Sequence, residues 1–120
     1  MKVVTLSTLI LLLITITHFS ANRTLALTCS ELEIRLSPCL PYLTGLRPEP
    51  AALCCDGVRW LEEMTRTTTD RKTACNCMAA AAARLLYLSI RDEFVSSLPG
   101  ECAVSLSYPI SLSSDCSKIP

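Results

Sequence analysis

The chain opens with one positive charge, Lys2, followed by an almost unbroken run of apolar and hydroxyl residues from Val3 to Thr17. Small residues come next, ending in Thr24-Leu25-Ala26. This is the three-part layout of a secretory signal peptide, and cleavage is expected after Ala26. The apolar run is too short to favour a membrane-spanning helix. After it the pattern changes to helical spacing. Thr28 followed by Glu31 is a capping box, with Leu27 and Leu32 placed to close a hydrophobic staple over it. Leu32, Leu36 and Leu40 then mark one apolar face. Pro38 and Pro41 should kink this first helix, and Gly45 should end it.

Pro48-Glu49-Pro50 marks a loop, with Pro50 suited to the first position of a second helix. That helix carries Cys54, Val58, Leu61 and Met64, with Glu62 and Arg66 at ion-pair spacing. Thr67 with Asp70 is the next capping signal. It opens a third helix bearing Ala74, Cys77, Met78, Ala81 and Leu85, whose Ala79–Ala83 run has the highest helix propensity in the chain. A fourth, short helix is expected after Ser89, capped through Asp92 and stopped by Pro99-Gly100. The tail from Ala103 to Pro120, rich in Ser and Pro, reads as ordered but irregular. The expected fold is all-α: four short helices and an irregular C-terminal tail.

Composition sharpens this outline. The 94 residues after the leader contain all eight cysteines, an even number in an oxidising compartment, so disulfides are expected. A metal site is disfavoured, because the only histidine, His18, lies in the leader and no CxxC spacing occurs. No cofactor is implied. Without Lys2 and Arg23 the charge becomes nine basic against eleven acidic side chains, so nucleic acid is an unsuitable partner. The sequon Asn22-Arg23-Thr24 leaves with the leader, so no N-glycan is expected. Catalysis finds no support. The part after the leader lacks a histidine, and neither Glu62 with Glu63 nor Glu31 with Glu33 can face one another on a helix. Aromatic residues are few, so four helices built mainly of Leu, Ala and Val make a weakly filled core. Disulfides can substitute for packing, and stapled walls permit a cavity that a close-packed core would forbid.

The cysteines fall as C-x9-C-x14-CC-x19-CxC-x24-C-x13-C, at Cys29, Cys39, Cys54–Cys55, Cys75, Cys77, Cys102 and Cys116. Around them stand Pro38-Cys39-Leu40-Pro41-Tyr42-Leu43-Thr44-Gly45, Cys54-Cys55-Asp56-Gly57-Val58-Arg59, Thr67-Thr68-Thr69-Asp70-Arg71 and Leu98-Pro99-Gly100. With these residues the chain resembles the plant non-specific lipid-transfer proteins of type 1, over essentially all of it from Leu27 onward. The cysteine frame is shared with storage albumins and α-amylase/trypsin inhibitors; the T-x-x-D-R segment and the short spacings favour the lipid-transfer branch. Spacing alone leaves about a hundred disulfide pairings open. The resemblance implies Cys29–Cys77, Cys39–Cys54, Cys55–Cys102 and Cys75–Cys116.

It further implies a hydrophobic tunnel stapled by those bridges, lined by Leu32, Leu36, Leu40, Val58, Leu61, Met78, Ala81, Leu106 and Ile110. Arg71 and Tyr108 would hold a lipid head group at one mouth, since an arginine fork donates two parallel hydrogen bonds to a carboxylate or phosphate. The implied protein is a secreted monomer of the apoplast or cell wall. It would carry fatty acids, lysolipids and phospholipids between membranes or to the cuticle, with transient membrane contact. The alternative of the same frame is a defence protein or enzyme inhibitor that presents the loop from Gly45 to Leu53. Two departures stand out. Pro109 follows Tyr108 where the family's proline usually precedes the tyrosine, which puts the aim of the hydroxyl in question. Trp60 is unusual after Gly57-Val58-Arg59 and reads as a partly buried helix residue or, alternatively, a membrane-facing anchor.

Overall fold

Prolines and hydroxyls shape the first helical segment more than apolar spacing does. In the computed structural model, which describes residues 5–14 and 27–120, a helix α1 over 5–14 precedes α2, Cys29–Leu36. Residues Lys2, His18, Asn22, Arg23 and the expected cleavage point after Ala26 lie outside the described residues. No helix among the described residues is long and apolar enough to cross a membrane. Thr28 caps α2 by accepting from the Glu31 amide at 3.2 Å, and Leu27 packs against the buried cluster that holds Leu32.

Pro38 has no amide to offer the Ile34 carbonyl, and the Ser37 hydroxyl donates to that oxygen instead, at 3.0 Å. The chain therefore tightens into a 3₁₀ turn, Ser37–Cys39, before α3, Leu40–Leu43. Gly45 ends the segment at φ +80°, a left-handed conformation that glycine adopts without penalty.

Helix α4 spans Ala52–Met64 and α5 spans Thr68–Arg84. The expected start of α4 at Pro50 is two residues early, because Ala51 stays extended at φ −65°, ψ 155° and serves as the N-cap. The expected Glu62–Arg66 pair does not form: α4 ends at Met64, so Arg66 falls outside the helical register that would bring it to Glu62. Thr67 caps α5, its hydroxyl accepting from the Asp70 amide at 3.1 Å and donating to the Asp70 carboxylate at 2.8 Å.

A 3₁₀ turn, Leu86–Leu88, leads to α6, Asp92–Glu101. Ser89 does not cap α6 as the sequence suggests. It sits at φ 55°, ψ 51°, whereas an N-cap requires extended backbone. Arg91 takes that place, and its amide donates to the Leu43 carbonyl at 3.0 Å, tying α6 to α3. The tie is reinforced by Tyr42, whose hydroxyl lies 2.7 Å from Ser97 Oγ and whose ring meets Phe94 at 5.2 Å. Pro99 does not stop α6 either; it lies inside the helix. The stop comes at Ala103, φ 54°, where the Val104 amide reaches back to the Pro99 carbonyl and the Ala103 amide to that of Gly100. This is a Schellman closure with alanine in the place glycine prefers.

The tail beyond Ala103 is irregular but anchored. Asp92 accepts from the Leu112 amide at 2.7 Å and the Ser111 hydroxyl at 2.9 Å, while Tyr108, Ile110 and Ile119 are buried around Cys75. Four disulfides join Cys29 to Cys77, Cys39 to Cys54, Cys55 to Cys102 and Cys75 to Cys116. The core is three small clusters rather than one: Tyr42, Val58 and Leu98 with Cys39, Cys54 and Cys102; Leu32, Leu61 and Ala74 with Cys77; and the tail cluster with Cys75. Each cluster includes half-cystines, so cross-links carry part of what packing would otherwise supply, at about 2–4 kcal/mol per bridge. Gly57 sets the closest approach: a Cβ there would collide with the Arg35 carbonyl where α4 crosses α2. Described residues 27–120 are thus all helix and irregular chain around incompletely filled space.

Candidate functional site

The unfilled space is an apolar cavity of about 320 Å³ between α2, α3, α4, α5, α6 and the tail. Its size falls at the lower end of the range for small-molecule sites, and its mostly apolar lining is typical of them. The cause is legible in α5. Ala81 and Ala82 face the cavity from the alanine run, which secures the helix but adds little bulk to the interior. Walls that face a void forgo dispersion contacts. Here the void is bounded by helices cross-linked to one another, α2 to α5 and α4 to the end of α6.

Eight of the residues expected to line a tunnel do line this cavity: Leu32, Leu36, Leu40, Val58, Leu61, Met78, Ala81 and Ile110. Leu106 does not. It lines a neighbouring pocket because the tail turns past α4 before Ile110 reaches the cavity. The lining also includes Leu43, Ala82, Leu85, Ile90, Val95, Leu98 and Leu112. Ala82 and Leu85 carried a usable signal, since they continue the helical spacing of Met78 and Ala81, and Val95 and Leu98 stand three residues apart on the fourth expected helix. Two charged residues, Glu33 and Arg84, complete the rim as an ion pair between α2 and α5. Nothing in the sequence links them.

Arg71 and Tyr108 share the second pocket, about 270 Å³, with Glu62, Thr65, Arg66, Ser105, Leu106 and Ser107. None of these lines the apolar cavity. The Arg71 guanidinium is committed to main-chain carbonyls: Nε to Thr65 at 3.0 Å, Nη1 to Pro120 at 2.9 Å and Nη2 to Arg66 at 3.3 Å. It also lies 5.7 Å from the centre of the Tyr108 ring, at cation–π range. The Tyr108 hydroxyl is buried and donates to Thr65 Oγ1 at 2.9 Å, and Thr65 in turn donates to the Leu61 carbonyl at 2.7 Å. Burial pushes the Tyr108 phenol above its ordinary value, partly countered by the Thr65 bond and the nearby Arg71 charge. With Pro109 behind it, Tyr108 points its hydroxyl at Thr65. Tyr108 also borders a small apolar recess with Met78, Val95 and Ile110, residues that continue into the large cavity.

Trp60 is a partly buried helix residue: it packs on the Leu32–Leu61 cluster, with the Arg35 guanidinium 5.4 Å from its ring centre. Leu86 and Tyr87, in the turn just beyond cavity-lining Leu85, are 79% and 77% exposed. In the segment from Gly45 to Leu53, Leu46 and Leu53 are exposed.

Among the described residues, four bridges, five helices beyond α1 and an apolar cavity define a disulfide-stapled helical protein built around a binding space. The sequence profile of the protease inhibitor/seed storage/LTP family matches residues 18–116. Non-specific lipid-transfer protein AP10 of Helianthus annuus is 40% identical over 121 residues, covering 100% of both chains. Non-specific lipid-transfer protein 1 of Actinidia deliciosa is 48% identical over 95 residues, 78% of this chain and 99% of that one. Among solved structures, non-specific lipid transfer protein 1 from barley, in complex with lysophosphatidylcholine, superposes with a TM-score of 0.69 at 35% identity, covering 78% of this chain and 100% of that one. The chain belongs to this family, among its non-specific lipid-transfer proteins.

Proposed function

We propose that this protein is a secreted lipid carrier, taking acyl chains of fatty acids, lysolipids and phospholipids into its apolar cavity and moving them between membranes or to the cell wall. The observation that carries the reading is the cavity of about 320 Å³, walled by helices that disulfides cross-link. Burying a chain there gives about 0.8 kcal/mol per CH₂, about what a bilayer gives, so exchange between the two is close to neutral. Apolar walls have no directional preference, which favours broad specificity. Relatives that carry the lipid-transfer name, one of them solved with a lysolipid, support the same reading. Exposed Leu86 and Tyr87 beside the cavity suit transient contact with a membrane. The leader over 1–26 would deliver the protein outside the cell as a monomer. The role in this reading is binding rather than catalysis: Glu62 and Glu63 are adjacent on α4 and point apart.

Arg71 and Tyr108, which line the neighbouring pocket and not the cavity, enter this reading as a second, polar end reached through the recess that Tyr108 shares with Met78, Val95 and Ile110. A head group there takes the place of the Pro120 carbonyl on the guanidinium. The test is titration of the oxidised protein with a fluorescent fatty acid. Saturable binding is expected, weakened at least tenfold by Ala81→Phe, which fills the cavity. Absence of binding by correctly folded protein overturns the carrier. Binding that Arg71→Ala leaves unchanged keeps the carrier and removes Arg71 from the site.

A further inference from the structure

Among the described residues that line the apolar cavity, one is basic and one is acidic, and they are bound to each other: Arg84, ending α5, and Glu33, on α2. The Arg84 side chain is 64% exposed and that of Glu33 is 34% exposed, so the pair stands at the rim between the cavity and solvent. Such a pair contributes little to stability and is readily exchanged. Arg71 is the opposite case. Its Nε, Nη1 and Nη2 each reach a main-chain carbonyl, and it borders no part of the large cavity.

We propose that Arg84 is the anion clamp of the cavity, and that Glu33 is its resident occupant, displaced when a lipid carrying a carboxylate or phosphate enters. This rests on the carrier reading. An acyl chain lying along Ala81, Ala82 and Leu85 ends beside Arg84, one residue from the last of these. Its anionic head then stands at the rim, beside the guanidinium. The guanidinium fork supplies two parallel donors for it, the same two that a side-chain carboxylate uses. Glu33 keeps the rim neutral while the cavity is empty. It also repels an incoming anion, so the pair sets selectivity among head groups and not merely affinity for chains.

Three ligands with one sixteen-carbon chain separate head from chain: palmitate, hexadecyl phosphate and uncharged hexadecanol. They are titrated against the oxidised protein and the variants Glu33→Gln, Arg84→Gln and Arg84→Lys, each checked for an unchanged thermal midpoint. Glu33→Gln is expected to tighten the anionic ligands about fivefold and Arg84→Gln to weaken them about fivefold, with hexadecanol moving less than about twofold. Arg84→Lys should restore only part of the loss, as a point charge without the fork. A response of palmitate alone or of hexadecyl phosphate alone assigns the clamp to that anion. Equal shifts of all three ligands, or no shift of any, overturn the clamp while the carrier stands. Failure of hexadecanol and both anions to bind the unsubstituted protein overturns carrier and clamp together.

Discussion

The apolar cavity and the pocket at the tail differ in volume by little but in chemistry almost completely. The large cavity is walled by Leu, Val, Ala and Met side chains with a single ion pair at its rim, while the pocket at the tail is lined by Arg71, Tyr108, Thr65, Glu62 and Arg66. In the first, apolar groups lack packing partners on the side that faces the void, and the cross-links tie the walls together. In the second, the buried and half-buried polar groups are bonded: Arg71 to three carbonyls, Tyr108 to Thr65, Thr65 to Leu61. No buried side-chain nitrogen or oxygen among the described residues lacks a partner. The difference shows where a fold can leave space at low cost. Missing contacts in an apolar cavity cost fractions of a kcal/mol each and a ligand restores them, whereas an unbonded buried donor costs about 1–3 kcal/mol.

The contrast can be broken most severely from the cavity side. Gly57→Ala puts a methyl group into the Arg35 carbonyl, and both clashing partners are on helices held by disulfides. A loss of about 3 kcal/mol is expected, read as a lower thermal midpoint of the oxidised protein, together with weaker binding of a fluorescent fatty acid. A midpoint equal to that of the parent would mean that the crossing of α2 and α4 is not a constraint.

Tyr108→Phe acts on the other pocket. It removes one buried hydrogen bond and leaves Thr65 still bonded to Leu61, so a smaller loss, about 1 kcal/mol, is expected near neutral pH. The pH dependence sharpens the assignment. Because burial raises the phenol above its ordinary value of 10.0, the native state keeps a proton that the unfolded chain releases. That contribution is fully present below pH 10.0 and is lost as pH rises through the raised value. The parent should lose stability more steeply than Tyr108→Phe across the alkaline range, in denaturant melts at fixed temperature. Parallel slopes would place the Tyr108 hydroxyl in water.

The smallest effect lies between the two regions, where α6 hands over to the tail. Ala103 occupies a left-handed position, and Ala103→Gly relieves it. A gain of about 0.5–1 kcal/mol is expected, with fatty-acid binding and the alkaline slope both unchanged. A loss of stability instead would show that the unfolded chain's added freedom outweighs the relief.

How much of this was legible in advance varies by element. Thr28 and Thr67 cap their helices as their spacing suggested, because a cap is decided by residues within one turn. Ser89 and Pro50 misled for the complementary reason. Their local signals are sound, but Arg91 is tied to Leu43, far away in sequence, and Ala51 stays extended ahead of α4. Pro99 could be absorbed into α6 because the following turn closes through Ala103 and Val104.

Local pattern carries the helical class and the oxidising, cross-linked design, whereas the apolar lining and the pairing of the cysteines came only with the family resemblance. The helical class and the cross-linking follow from periodicity, composition and cysteine count, and neither depends on which distant residues meet. Tertiary contacts alone put Arg71 and Tyr108 in a pocket apart from the cavity, send Leu106 with them and bring Glu33 to Arg84 at the rim. Each of those outcomes depends on how the tail turns against α4 and α5 or how α2 lies on α5. Such crossings are set by packing and disulfides between segments that carry no mark of one another in the sequence.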